Sequence, residues 1–403
     1  MKYIFLTFSM AGVTGAPSYV NNKVKWLLSN GWNVIVIDHY GRLTLNGEII
    51  LENLIQFRNN RLLELFFPPS YFTQKQRKNI VDRLCSIIGN DEDYVIETNS
   101  TRLALWGELL AKRLHAKHLI LLVGEHIHLQ NERQFEYLNF KFNRNELFTI
   151  NPRVLKLLFS SYKRIDDLDA NNHTFSASMG VVPEEVPLPE IENIPFADYK
   201  ILSFGRTKPY FKNMIEGVVE FSNHYPKKKL NFIIMGDVLL PENLIRIMDS
   251  CSNLFYKFIP SKRPVSKSIF RYSDLVIATA GCANIAFNQG VKTISMNVEN
   301  NQPLGVMGYT TINSAFSNDN RHITKKLSEL IDEVLVKKLY DGVPLLKKEA
   351  SKKGYQYQIS LINDDREYWK NVDKIYVDGW WKRVLEIIIL RIGGIRFLAK
   401  YTN

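Results

Sequence analysis

Cysteine is scarce in this chain. Its 403 residues include three, Cys85, Cys251 and Cys282, an odd number with no Cys-x-x-Cys pair. That argues against a disulfide framework and a cysteine zinc site, and it suits a reducing cytoplasm. Long apolar runs are missing too. No segment reaches the ~20 apolar residues of a membrane-spanning helix. No low-complexity tract and no repeat at solenoid spacing occurs, which sets aside disordered and repeat architectures. A complete Gly-x-Gly-x-x-Gly fingerprint is also absent, and with it the usual sign of NAD binding.

What is present is ordinary globular material, 45% hydrophobic and 23% charged. This length corresponds to roughly two or three domains. The formal charge is +11. Nucleic acid, an anionic membrane face or phosphorylated small molecules would each account for it. The basic residues are dispersed and form no nucleic-acid module, so no nucleic-acid partner is expected. The opening Met1 to Phe8 is short for a signal peptide and runs into a glycine turn and an amphipathic stretch. It reads as a buried first strand.

Apolar runs alternate with helical patterns along the chain. Tyr3 to Phe8, Asn33 to Asp38, Tyr94 to Glu97 and His118 to Val123 read as strands, with helices over Ser18 to Asn30 and Thr101 to Leu114. Near-continuous apolar strands separated by helices predict a parallel sheet covered on both faces. The proline- and acid-rich stretch from Val181 to Pro195 reads as a linker. A second series follows, with strands over Lys200 to Phe204, Leu230 to Met235, Leu254 to Phe258, Leu275 to Ala278 and Lys292 to Met296. The expected organisation is an α/β domain over 1–185, a second over 196–363, and a C-terminal segment, 364–403, returning to the first.

Candidate site residues sit where strands end. Gly12 and Gly15 follow the first strand, with Ala16 and Ser18 entering the helix. A glycine turn there lets a ligand approach amides at the positive end of a helix. Gly205, Arg206, Lys208 and Lys212 follow the first strand of the second half. An Arg fork and Lys point charges in that position can neutralise a diphosphate. Gly281 and Asn284 follow a further strand, where small residues allow phosphate close to backbone amides. Glu125 and His126 lie past another strand as an acid–base pair, and Glu97 is a comparable carboxylate. Asp91-Glu92-Asp93 and Asp167-Leu168-Asp169 match a short metal-binding pattern, but both read as solvated turns. No metal and no cofactor is expected.

Together these placements resemble the GT-B glycosyltransferases, particularly the family 4-like group, over most of the chain. Gly12 to Tyr19 is similar to that group's acceptor-side loop. Met179 to Pro183 is similar to its Asn-Gly-Val-Asp segment. Ile201 to Arg206 with Lys212 is similar to its Gly-Arg…Lys motif, Phe232 to Asp237 to the following strand, and Ser273 to Ala278 to the Ala-Asp strand before the donor loop. The resemblance implies two Rossmann-like domains facing across a cleft, with the C-terminal helix packing back on the first. It implies metal-independent, hexosyl-type transfer from a nucleotide-diphosphate sugar to a hydroxyl of a carbohydrate or lipid-linked carbohydrate. Surface or capsular polysaccharide assembly is the implied setting. In this reading Arg206 and Lys212 stabilise the leaving diphosphate, and Gly12 to Ser18, Glu97 and Glu125-His126 hold the acceptor.

The chain departs from the group at one motif. Between Ala280 and Lys292 there is no acidic residue, where the group carries two glutamates. Donor ribose and sugar contacts are therefore expected from Asn284, from Glu299, or from Gly308, Tyr309 and Thr310. Two alternatives stay open: a sugar-nucleotide epimerase, and a non-catalytic paralogue that scaffolds polysaccharide assembly. The last stretch, Trp380 to Lys400, mixes apolar, aromatic and basic residues. It reads either as a helix packed on the first domain or as a peripheral anchor at the inner face of the cell membrane.

Overall fold

The computed structural model describes residues 1–7, 15–38, 54–56, 62–89, 93–124, 129–175, 183–205, 209–236, 240–260, 262, 265–317, 325–346, 354–361, 365–376, 379, 381–382, 384–390 and 394. The first unit is built from β1 (Lys2–Thr7), α1 (Gly15–Ser29), β2 (Asn33–Asp38), β3 (Leu54–Gln56), α2 (Gln74–Ile88), β4 (Tyr94–Thr98), α3 (Thr101–Leu114), β5 (Lys117–Leu122), α4 (Glu132–Asn143), β6 (Leu147–Thr149), α5 (Pro152–Phe159) and α6 (Asp167–Asn172). The side chains of β1, β4 and β5 are buried almost from end to end, as strands of a parallel sheet covered on both faces must be. All six strands are parallel, in the order β3-β2-β1-β4-β5-β6. This is the doubly wound order, with its switch point between β1 and β4.

Local sequence sets where the helices start. Thr73 and Gln76 form a capping box on α2. Ser100, Asn131, Asn151 and Asp166 each accept a hydrogen bond from an amide in the first turn of α3, α4, α5 and α6. Asp167 and Asp169 thus open a short helix rather than a turn.

The second unit repeats the plan with β7 (Tyr199–Phe204), α7 (Phe211–His224), β8 (Leu230–Met235), α8 (Glu242–Asp249), β9 (Leu254–Ile259), α9 (Lys267–Tyr272), β10 (Leu275–Ala278), α10 (Ala280–Asn288), β11 (Thr293–Met296), β12 (Pro303–Val306) and α11 (Leu327–Leu335). Its order is β12-β11-β10-β7-β8-β9. That is the same winding, with the switch point between β7 and β10. β12 alone runs antiparallel, pairing Ile294 with Val306 and Met296 with Pro303. Ile201, Phe232, Ile234 and Ile277 face α7 and α11 across one side of the sheet. Leu202, Phe204, Ile233 and Val276 face α9 and α10 on the other.

The compact units are Met1–Met179 with Ser351–Asn403, and Gly180–Ala350. The chain rejoins the first unit before residue 364, because α12 (Tyr355–Ser360) already packs there. The Gln358 side chain accepts a hydrogen bond from Lys23, and further on the Trp369 amide donates to Glu108 at 2.7 Å. The proline-rich connection is ordered against the second unit: Leu188 is buried in its core, and the Glu184 amide donates to Val265 at 2.8 Å. Among the described residues no helix is long and apolar enough to cross a membrane.

Candidate functional site

In the second unit the carboxyl ends of β7, β8 and β10 meet at the switch point. Gly205 and Gly236 each extend their strand's ladder by one bond, to Met235 at 2.9 Å and Ile259 at 3.0 Å. Both take positive φ, 139° and 152°. A Cβ on Gly236 would lie 1.8 Å from the Gly205 carbonyl oxygen, and one on Gly205 would lie 3.3 Å from Cys282 Sγ. Glycine is needed here because the ends of β7 and β8 meet backbone to backbone, with the Cys282 side chain of α10 against Gly205.

Among the described residues, the helices that follow β7, β8 and β10 all lack side-chain caps. Tyr210 precedes α7 without capping it. Thr279 precedes α10 but commits its hydroxyl to the Met296 carbonyl at 2.8 Å. The positive ends of α7 and α10 therefore face the edge with no side-chain cap among the described residues, the arrangement that receives phosphate. Ala280 holds φ 52°, unusual for a residue with a Cβ. Its amide donates to the Ser314 carbonyl at 2.6 Å, which fixes the first turn of α10. Gly281 is exposed, and no atom lies within 4 Å of the Cβ it lacks.

The residues read from the sequence divide as follows. Gly205, Gly281 and Asn284 stand at this edge, with Asn284 Nδ2 donating to Ser314 Oγ at 3.2 Å. Glu299 is exposed on the loop that leaves β11 at the same edge. The Asn213 amide group ties that loop to the first turn of α7 through Asn301 at 2.9 Å. Lys212 is exposed in that first turn, with its ammonium 3.9 Å from Glu216. Arg206, Lys208, Glu125, His126 and Gly12 lie outside the described residues.

Gly308, Tyr309 and Thr310 are not at this edge. Because β12 runs backwards, its end lies beside the start of β11, where the Met307 amide donates to Thr293 at 2.8 Å. Gly308 is packed under Phe287 and Leu345, and Tyr309 beneath the Lys292 ammonium, 4.4 Å from its ring centre. Ser314, in the bend after Thr311, occupies the edge instead. The polar loop around it carries no pattern that would have marked it.

In the first unit Glu97 is also corrected. It is wholly buried, accepting from Lys23 Nζ at 2.6 Å and Tyr3 Oη at 2.6 Å. Burial lowers the Lys23 pKa, and Glu97 opposes that shift. A sealed carboxylate with two donors on one oxygen secures the core and cannot meet an acceptor. Gly15, Ala16 and Ser18 belong to α1 rather than to a loop, and Ser18 is buried at 2% exposure. Asn99, which carries no pattern that marks it in the sequence, directly follows β4 at the switch point. It is 5% exposed, and its Oδ1 finds no hydrogen-bond partner among the described residues. Among the described residues no three His, Cys, Asp or Glu side chains gather as a metal set.

No family model and no curated protein matches the chain. Solved structures do. A glycosyltransferase from Rickettsia africae matches with TM-score 0.55 at 14% identity, over 89% of this chain and 91% of that one. The fold is that of the GT-B glycosyltransferases. A mutant of S. aureus TarM, solved with fondaparinux, α-GlcNAc-glycerol and UDP, matches with TM-score 0.53 at 10% identity, over 90% of this chain and 99% of that one. The pneumococcal O-GlcNAc transferase GtfA, solved with UDP and GlcNAc, matches with TM-score 0.52 at 11% identity, over 96% and 99%. In GT-B terms, the edge built by Gly205, Gly236 and α10 belongs to the C-terminal sheet, and Asn99 to the N-terminal one.

Proposed function

We propose that the protein is a glycosyltransferase that takes its sugar from a nucleotide-diphosphate donor held at the β7–β10 edge. The observation that carries this reading is the pair of helix N-termini, α7 and α10, without side-chain caps among the described residues, beside Gly205 and Gly236 packed backbone to backbone. Backbone amides and helix ends bind a diphosphate without a metal. Arg206 and Lys208, by their place in sequence, and Lys212, in the first turn of α7, add positive charge. Charge builds on the departing diphosphate as the anomeric bond breaks, so cations fixed there favour the transition state over the ground state.

Asn284 and Glu299 contact donor hydroxyls in this reading, with Ser314 beside Asn284. The acceptor, a carbohydrate or lipid-linked carbohydrate, binds at the carboxyl edge of the first sheet, where Asn99 offers an oxygen and Glu125-His126 supply acid–base chemistry. Hexosyl transfer in cytoplasmic assembly of a surface polysaccharide or other glycoconjugate is the proposed setting.

Incubation with a panel of sugar nucleotides tests the proposal. Sugar transfer or slow release of nucleoside diphosphate supports it. Appearance of an epimeric sugar with no acceptor present would make the protein an epimerase. Tight donor binding with no turnover on any acceptor would make it a scaffold.

A further inference from the structure

The helical residues 381–382 and 384–390 of the first unit present their polar and apolar sides the wrong way round. Glu386 is 4% exposed and accepts from Tyr71 Oη at 2.8 Å. Ile389 and Leu390 pack beside it on the core. The outer face carries Trp381, Leu385 and Ile388, exposed at 77%, 58% and 47%. Spacings of four and three residues place them along one stripe of a helix. An apolar stripe turned outward, above a glutamate turned inward, is the reverse of what burial in a lone soluble unit favours.

Charge indicates what covers it. Between residues 380 and 400 the sequence holds Lys382, Arg383, Arg391, Arg396 and Lys400 against one acid, Glu386, and that acid is the one buried. Lys382 stands exposed beside the stripe, 3.8 Å from Glu386. Next to Tyr71 begins α2, whose first turn exposes Lys75 and contains no acidic residue. Cations at a helix N-terminus oppose its dipole, a local cost consistent with a role in binding.

We propose that the stripe of Trp381, Leu385 and Ile388, with the exposed Lys382 beside it, docks the protein on an anionic lipid surface. Apolar side chains enter the acyl boundary while lysine and arginine meet the headgroups, and a tryptophan suits the boundary itself. The inference does not depend on the donor site, so nucleotide binding and membrane binding can fail separately.

Flotation of the full chain with phosphatidylglycerol-containing vesicles, with pure phosphatidylcholine vesicles as control, tests it. The protein is expected to float with the anionic vesicles only, and less so as salt rises. Leu385→Glu with Ile388→Glu replaces exposed side chains and is expected to leave the melting temperature unchanged while weakening vesicle binding by on the order of tenfold or more. Brominated lipid is expected to quench fluorescence of the unaltered protein, and Trp381→Phe to remove most of that quenching. A protein that stays soluble overturns the proposal, as does quenching unaffected by Trp381→Phe. So does a folded double variant that binds as well as the parent. A dimer in light scattering that the double variant dissociates would reassign the stripe to self-association.

Discussion

Gly236 and Gly205 lie so close that a single methyl group on Gly236 would sit 1.8 Å from the Gly205 carbonyl oxygen. The obstacle is backbone, which cannot rotate away, and Gly236 also holds φ 152°. Gly236→Ala should therefore push β7 and β8 apart at the donor edge. Gly281 provides the complementary case, since its missing Cβ faces open space. Gly281→Ala should leave stability unchanged or raise it by up to ~1 kcal/mol through helix propensity. It should still weaken nucleoside-diphosphate binding, because the added methyl group would stand where the proposed site brings phosphate to the amides. Melting curves and calorimetric titration separate the two effects. A Gly281→Ala protein with unchanged affinity would remove α10 from the donor site.

Glu97 gives the opposite pattern. Glu97→Gln leaves Lys23 buried without its counter-charge, at a cost of about 3 kcal/mol or more. The first unit's melting transition should fall by roughly 6 °C or more. Turnover per folded molecule should be retained. A variant with normal melting and abolished turnover would return Glu97 to the acceptor site.

Acid should destabilise the first unit in two stages. His118 donates through Nδ1 to Glu108 at 2.7 Å and faces Thr98 Oγ1 through Nε2 at 3.2 Å. Burial first, then the Lys141 charge, lowers the His118 pKa from 6.5 to about 4. Burial raises the Glu108 carboxyl, but Lys141 at 2.6 Å and His118 outweigh it and hold it at about 2, below its usual 4.5. Both folded values lie below the unfolded ones, so the native state binds fewer protons than the unfolded chain. The histidine contribution is complete above about pH 6.5 and is lost as pH falls towards 4. The glutamate contribution is complete above about 4.5 and is lost towards 2. Thermal melts from pH 7.5 to 4 should slope downward, and His118→Asn should flatten the slope between 6.5 and 4.5. An equal slope in the variant would contradict this.

Turnover on the donor found by the sugar-nucleotide panel is expected to survive excess chelator, because the proposed site gives helix ends and the Arg206 and Lys212 charges the work of a metal at the diphosphate. Loss of activity with chelator and recovery with magnesium or manganese would refute this.

The sequence displayed most of the sheet framework, because strands buried on both faces read as unbroken apolar runs such as Phe232 to Met235 and Leu275 to Ala278. Strand direction is not written that way. Pro303 to Val306 is as apolar as its neighbours, and nothing in its periodicity says that it runs backwards, so Gly308 to Thr310 were assigned to the wrong edge. Glu97 failed for a related reason. A carboxylate at a strand end looks the same whether it meets a ligand or a lysine 74 residues away, and Lys23 sits in an ordinary amphipathic pattern. Ser314 and Asn99 have significance only through what the fold brings near them.

In the proposed site a nucleoside diphosphate binds at the β7–β10 edge and is held there by Arg206 and Lys212. The most direct measurement is calorimetric titration of UDP, the ligand held by the TarM and GtfA structures, into the protein and into Arg206→Ala and Lys212→Ala, with melting temperatures alongside. The parent is expected to bind, with affinity falling by about tenfold or more in each variant and melting temperatures that barely move. Undiminished UDP affinity in both folded variants would contradict the proposed site.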